Sequence, residues 1–476
     1  MSEAIKQLLT QGPKGVNIGL KSFAETLVQN GAATIQVDWR PPAKGDAKLA
    51  AAVAKLWNVN LKGEYASIDE ANKAVVQKML DAQPTLIDVV PAGSVIPELT
   101  DKVLLHAGPP ITFNEMTGPG QGACIGAVVF EGWAKDHAEA EEMLRNNEIT
   151  FIPCHAVKAV GPMGGITSKS MPVLVVKNVT EGNVAYCQMN EGIGKVMRMG
   201  ANGPEVLNRL AWMRDTLGPW LSKALKVTEN GLNLKVIMGR AVTMGDEFHQ
   251  RNIAGSAIFL REMAGYLAQV GAPADVFKFL ADTDQFFLNC AMAASKATAD
   301  AAATIKAGTI VTAMSRNGVN FGIKVSGCGD VWFQAPVNKP EGLYFSGYTS
   351  EDGNPDIGDS AITETIGLGG VIMAAAPGVI RFVGAGGFTD GIKITEEQQE
   401  ICIATNPHLQ IPTLDFSGGP IGIDVRKVVE TGITPIINTG IAHKKAGVGQ
   451  VGAGTVRAPY GCFEKALYAL TEVYGV

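Results

Sequence analysis

Over "KGVNIGL" (14–20) apolar and polar residues alternate with the period of a strand. The next stretch, "KSFAETLVQNG", changes to a helical period that closes on Gly31. "ATIQVDW" (33–39) is a second strand, broken by Pro41-Pro42. Residues 46–57 and 68–82 have helical periodicity, and "PTLIDVV" (84–90) and "DKVLLHA" (101–107) read as further strands. Strands alternating with helices predict a parallel sheet, so residues 1–112 are expected to form a Rossmann-like domain. Residues 113–202 mix a helix (134–146) with the strands "MPVLVVKNV" and "NVAYCQM", the pattern of a small α+β domain. Residues 203–307 are almost wholly helical and include "CAMAASKATADAAATIKAG", whose small side chains suit a tightly packed central helix. Residues 308–476 return to strands ("NFGIKVSG", "DVWFQAPV", "GVIRFVGAGG", "TPIIN") with helices at 361–375 and 459–473, a glycine-rich α+β domain. The expected fold is therefore multidomain α/β.

A length of 476 residues fits two to four domains, and 46% hydrophobic residues supply ample core. The 56 glycines gather in short runs such as "GPGQGACIG" and "GVGQVGAG", which permit close backbone packing or close approach to a ligand. A net charge of −6 without a basic stripe argues against nucleic acid as a partner. "MSEAIKQLLTQGPKG" lacks the form of a signal peptide, and no apolar run reaches the roughly 18 residues that span a bilayer. Seven cysteines stand singly, with no C-x-x-C, so neither disulfides nor a zinc site is indicated and a cytoplasmic location is expected. No metal or cofactor is expected. Asp356, Asp359 and Glu364 fit a magnesium site, but capping and solvation explain them equally well.

Against this low charge density (18% Asp, Glu, Lys and Arg), "AVTMGDEFHQRNIAGS" (241–256) stands out. "NLKVIMGRAVTMG" reads as one helix ending at Gly245, and Asp246 is placed to cap the next. At about 100° per residue, Asp246, His249 and Asn252 extend the apolar stripe of Ile253, Phe259, Leu260, Met263, Tyr266 and Leu267. Glu247 and Arg251 stand four apart and are expected to pair. Polar side chains on a buried face need partners from protein or substrate. The cluster Asp246, Glu247, His249, Arg251 and Asn252 is the candidate catalytic group.

Two other stretches offer substrate contacts. In "LLHAGPPITFNEMTGPGQG" (104–122), His106 ends a strand and Asn114 and Glu115 precede a glycine loop, where α/β folds bind ligands. "INTGIAHKKAGVGQVGAGT" (437–455) carries Asn438, His443, Gly449 and Gly452. Its G-x-G-x-x-G lies nine residues from a strand and lacks the later acid, so it fails as a dinucleotide fingerprint and stands as an anion-holding nest. Asp38, alone after the second strand, gives equally weak support for a nicotinamide cofactor. Cys154 and His155 are adjacent on a strand and face opposite ways, which argues against a nucleophilic pair. No H-E-x-x-H, P-loop or G-x-S-x-G is present.

"VNIGLKSFAETL", "VDWRPPAKGD", "LLHAGPPI", "MGDEFHQRN" and "NTGIAHKKAGVGQVGAG" resemble, essentially end to end, the YlbE/YahG (AllG-type) family. The resemblance implies a large subunit of an oxamate carbamoyltransferase, working beside an FdrA-type protein and a smaller third subunit. The implied reaction converts oxalurate and phosphate to oxamate and carbamoyl phosphate in purine (allantoin) breakdown, and a homo-oligomer is expected. Such chemistry needs a phosphate cradle, a donor to the carbamoyl oxygen and proton transfer at the acceptor nitrogen. His249 or His106 would donate to the carbamoyl oxygen. Asp246 would orient His249 or take the acceptor proton, and Arg251 with the 447–454 turn would hold phosphate or carboxylate. A non-catalytic scaffold subunit, or a nucleotide- or CoA-dependent enzyme using the N-terminal domain, are the alternatives.

Overall fold

A computed structural model describes residues 3–37 and 39–476; Asp38 lies outside the described residues. The architecture is mixed α/β with several sheets. The first βαβ unit forms as its periodicity predicts: Lys14–Ile18 and Ala33–Val37 run parallel, joined by the helix Lys21–Gln29. They remain a two-stranded sheet. Pro84–Pro91 lies instead in a five-stranded sheet, antiparallel to Pro172–Asn178, and Val103–His106 pairs in parallel with Thr150–Pro153. The strands of the first 112 residues are thus shared among three sheets, where a single parallel sheet was expected. The reason is visible in "PTLIDVV". Leu86 and Val89 enter one core cluster while Ile87 and Val90 pack against another, so the strand needs cover on both faces. Local periodicity reports that requirement but not which strand lies alongside.

The helix Phe286–Ala302 is the spine of the molecule. Every residue in it except Asp300 is buried. A helix that is apolar and small all round can be surrounded by protein, and alanine brings backbones close at little cost in side-chain entropy. It packs on the strands Pro172–Asn178 and Val184–Gln188, the helix Ile68–Asp81 and the short helix Ile362–Thr365. Phe259 meets Phe286 at 5.1 Å and Phe248 meets Phe287 at 5.5 Å between ring centroids, which ties the 246–267 region to the spine.

The C-terminal third carries a three-stranded antiparallel sheet, Glu341–Tyr344 against Gln450–Arg457 against Ile436–Ala442. Within "GVIRFVGAGG", expected as a strand, Pro377–Phe382 is a helix. Pro377 occupies its first turn, where a missing N–H costs nothing, and Val379, Ile380 and Val383 are buried at helical spacing. The β-branched run concealed that period. Among the described residues no helix is long and apolar enough to cross a membrane.

Candidate functional site

The helix Leu234–Thr243 ends as expected before Gly245, which has φ +96°. The next helix, however, is Ile253–Gln269 and does not begin at Asp246. Residues 246–252 form a compact turn in which Phe248 adopts φ +69°, an unfavourable conformation for a bulky residue. Burial of its ring holds it there. The ring lies against Phe287 and over Gly255, where a Cβ would stand 2.8 Å from both rings. Reversing the chain at Phe248 sends the neighbouring polar side chains into the protein: Asp246, Glu247, His249 and Asn252 are all buried.

Each acid then finds partners other than those sequence spacing suggests. Glu247 does not pair with Arg251. Its Oε1 accepts the backbone N–H groups of His249 (3.2 Å) and Arg251 (2.7 Å), and its Oε2 accepts Asn438 Nδ2–H (2.9 Å). Arg251 Nη1 donates to Asp246 Oδ1 (2.6 Å), while Asp246 Oδ2 caps the following helix through Gly255 N–H (2.7 Å). Burial pushes both carboxyls above the usual range, opposed at Asp246 by helix amides and Arg251, and at Glu247 by His249 and Asn438.

His249 Nδ1 lies 2.7 and 2.9 Å from the two oxygens of Glu364, so a carboxylate fixes the ring and leaves Nε2 for another group. Glu364 also accepts from Thr363 Oγ1 (2.9 Å) and the amides of Gly370 (3.0 Å) and Asn438 (3.2 Å). Gly369, at φ +60°, permits this: a Cβ there would fall 2.0 Å from Glu364 Oε1. His249, Glu247, Glu364 and Asn438 thus form one hydrogen-bonded unit drawn from three distant segments.

His249 and Arg251 line a cavity of about 390 Å³, with Arg198, Ser360 and Gln450 among its other polar walls. Arg198 is buried and donates to Asn190 Oδ1 (3.0 Å); burial pulls its guanidinium below the ordinary value, with Glu191 opposing. The cavity therefore presents two guanidinium groups and one carboxylate-backed imidazole. Such a set can hold a small anion and move a proton beside it. Arg198 and Glu364 were not assigned these roles from sequence. An arginine inside the otherwise apolar "VMRMG" (196–200) is the available signal for the first. Glu364 was noticed only as a metal ligand.

The other candidates lie elsewhere. His106 is buried beside Phe151 with Nδ1 2.9 Å from the Ala107 carbonyl, outside the cavity wall, and burial lowers its pKa to about 4. Asn114 accepts from Arg145 (3.3 Å) and Glu115 closes a capping box on Thr112, both at the surface. His443 Nδ1 accepts from the Lys445 amide (2.9 Å). Gly452 lies in the strand Gln450–Arg457 between two neighbours, so its amide belongs to a sheet rather than a nest. Gly449, at φ +97°, lets the chain pass Gly194, whose carbonyl would be 2.5 Å from a Cβ. Asn252 donates to Gln285 (3.0 Å) and stands behind the cavity wall. The three carboxylates weighed for magnesium do not converge. Asp356 pairs with Arg316 (2.6 Å), Asp359 accepts the amides of Gly108 and Gly161 (2.9 Å each), and Glu364 holds His249. No metal-sized cluster of such residues occurs among the described residues.

The profile of the family described as oxamate carbamoyltransferase subunit AllG matches residues 149–360, a span that includes His249 but stops short of Glu364 and Asn438. Oxamate carbamoyltransferase subunit AllG of Escherichia coli (strain K12) is 60% identical over 417 residues, 87% of this chain and all of that protein. The uncharacterized protein YahG of the same organism is 43% identical over 475 residues, 99% of this chain and all of its own length. A crystal structure of a conserved protein of unknown function from Enterococcus faecalis V583 superposes with a TM-score of 0.85. It is 45% identical and covers 87% of this chain and all of that one.

Proposed function

Because the chain belongs to the AllG/YahG family, we propose that it is a subunit of a cytoplasmic carbamoyltransferase and that the cavity beside His249 is where the carbamoyl group moves. The observation that carries this is the imidazole of His249, fixed by Glu364 and facing a cavity that also holds Arg198 and Arg251. In the phosphorolytic direction a phosphate oxygen attacks the ureido carbon of oxalurate. The C–N bond breaks, carbamoyl phosphate forms, and oxamate leaves once its nitrogen gains a proton. Two arginines suit the two anions, phosphate and the oxalyl carboxylate. His249 Nε2 supplies the proton to nitrogen in this direction and accepts it in the reverse one. Glu364 orients the ring and balances its charge; this role replaces the one Asp246 was expected to fill. A volume of about 390 Å³ falls within the range of small-molecule sites.

The partners in this proposal are an FdrA-type subunit and a smaller third subunit, and the pathway is allantoin breakdown. With those partners present, His249→Ala should lower oxamate-dependent turnover of carbamoyl phosphate at least 100-fold while the melting temperature stays within a few degrees. Near-normal turnover would remove His249 from the site.

A further inference from the structure

The cavity opens through a rim of apolar side chains that stand in water. Ile193, Ile253, Phe345 and Phe382 line it and are 61, 43, 41 and 45% exposed. They come from four separate segments of the chain. Met244, 58% exposed, adjoins this rim at Arg251, whose Nη1 lies 3.3 Å from the Met244 carbonyl. Leu343, 53% exposed, adjoins it beside Gly384, two residues beyond Phe382. These six side chains leave on the order of 600 Å² of apolar surface in water. That is at the top of what a monomer ordinarily shows in one patch, and approaches the roughly 800 Å² one partner gives to a standard interface.

We infer that this rim is the docking face for a different subunit of the same enzyme, which presents an apolar projection to the mouth and closes the site. The inference rests on the reading of the cavity as the reaction centre. Four considerations favour a different chain as the cover. The surface is a depression, and two identical depressions set mouth to mouth touch only at their edges. The patch is continuous with the walls holding His249 and Arg251, so whatever covers it also covers the chemistry. A carbamoyl donor is open to attack by water, and the mouth stands open in this chain alone; a cover excludes water and strengthens the arginine–anion contacts. Finally, the 60%-identical relative is itself named a subunit.

The test uses the full chain with the FdrA-type and third subunits, reading association between purified proteins and turnover of the assembled enzyme. Phe345→Asp and Phe382→Asp, with Phe345→Ala as the milder variant, change exposed side chains, and melting temperature checks that each remains folded. Association should weaken at least tenfold for either aspartate variant, with turnover recovering as partner concentration is raised. His249→Ala should associate like the unaltered chain. Unchanged association of a chain carrying both Phe345→Asp and Phe382→Asp would overturn the inference. So would intact association with partners accompanied by a changed oligomeric state of the chain alone, which would assign the rim to a second copy. Weakened association beside a fully active His249→Ala would keep the docking face and discard the cavity as reaction centre.

Discussion

Glu364 touches the imidazole and not the cavity, so its effect should be read through His249. Glu364→Gln keeps the volume and one hydrogen bond but removes the charge opposite a protonated ring. Turnover should fall about 10- to 100-fold. kcat should fall while KM changes little, because the Glu364 carboxylate does not line the cavity. A residue with a merely structural role would lower the melting temperature without that split. His106 illustrates the opposite case, a histidine held neutral. Burial lowers its pKa from 6.5 to about 4, so between those values the unfolded chain binds the proton more tightly than the folded one. Its stabilising effect is complete above pH 6.5 and is lost as pH falls towards 4. The full difference is about 3 kcal/mol. Urea unfolding of His106→Gln between pH 7 and 4 should show a correspondingly shallower loss, with His155, also held well below its ordinary range by burial, supplying part of the remainder.

The turn 246–252 acts as one piece because Phe248 anchors it. Gly255→Ala would press a methyl against the rings of Phe248 and Phe287, costing about 1–3 kcal/mol and moving His249 relative to Glu364. Both a lower melting temperature and a lower turnover are expected; loss of one without the other would show that anchor and imidazole are independent. This element also shows what a sequence can disclose. Burial of Asp246, His249 and Asn252 was legible, although from angular positions on a helix that does not form there, and Glu247, expected on another side, is buried as well; the helix end near Gly245 was legible too. The partners were not, because angular position says which way a side chain points and nothing about what waits there. Arg251 paired with Asp246 instead of Glu247 once the turn replaced a helix, whose geometry the i, i+4 argument requires. Residues 377–382 failed for a related reason, since Val and Ile at 379, 380 and 383 satisfy strand propensity and helical burial alike.

For the molecule as a whole, the long helical and strand segments were legible, and the sheet partners were not. Strand 84–91 pairs with 172–178 and 232–233, contacts that no local pattern encodes. Distant charge pairs were equally hidden. Arg316 and Asp356 are fully enclosed, the guanidinium donating at 2.6 Å and also reaching Ser360 Oγ (3.1 Å) on the cavity wall. Arg316→Met would leave Asp356 with a buried charge and no cation, a loss of about 3–5 kcal/mol measurable by chemical denaturation. An Arg316→Met, Asp356→Leu pair should recover much of it.

The hydrogen-bonded unit at His249 joins residues 115 and 191 positions apart along the chain. A ribosome must therefore deliver the chain beyond Glu364 before the imidazole acquires its carboxylate, and beyond Asn438 before the whole unit can close. Shortened products of interrupted synthesis, or pieces left by a protease cutting anywhere between 250 and 363, would retain helices and whole sheets but none of the reactivity. Complementation between two such pieces, each silent alone, would be the direct sign that the reactive centre is a property of the finished chain.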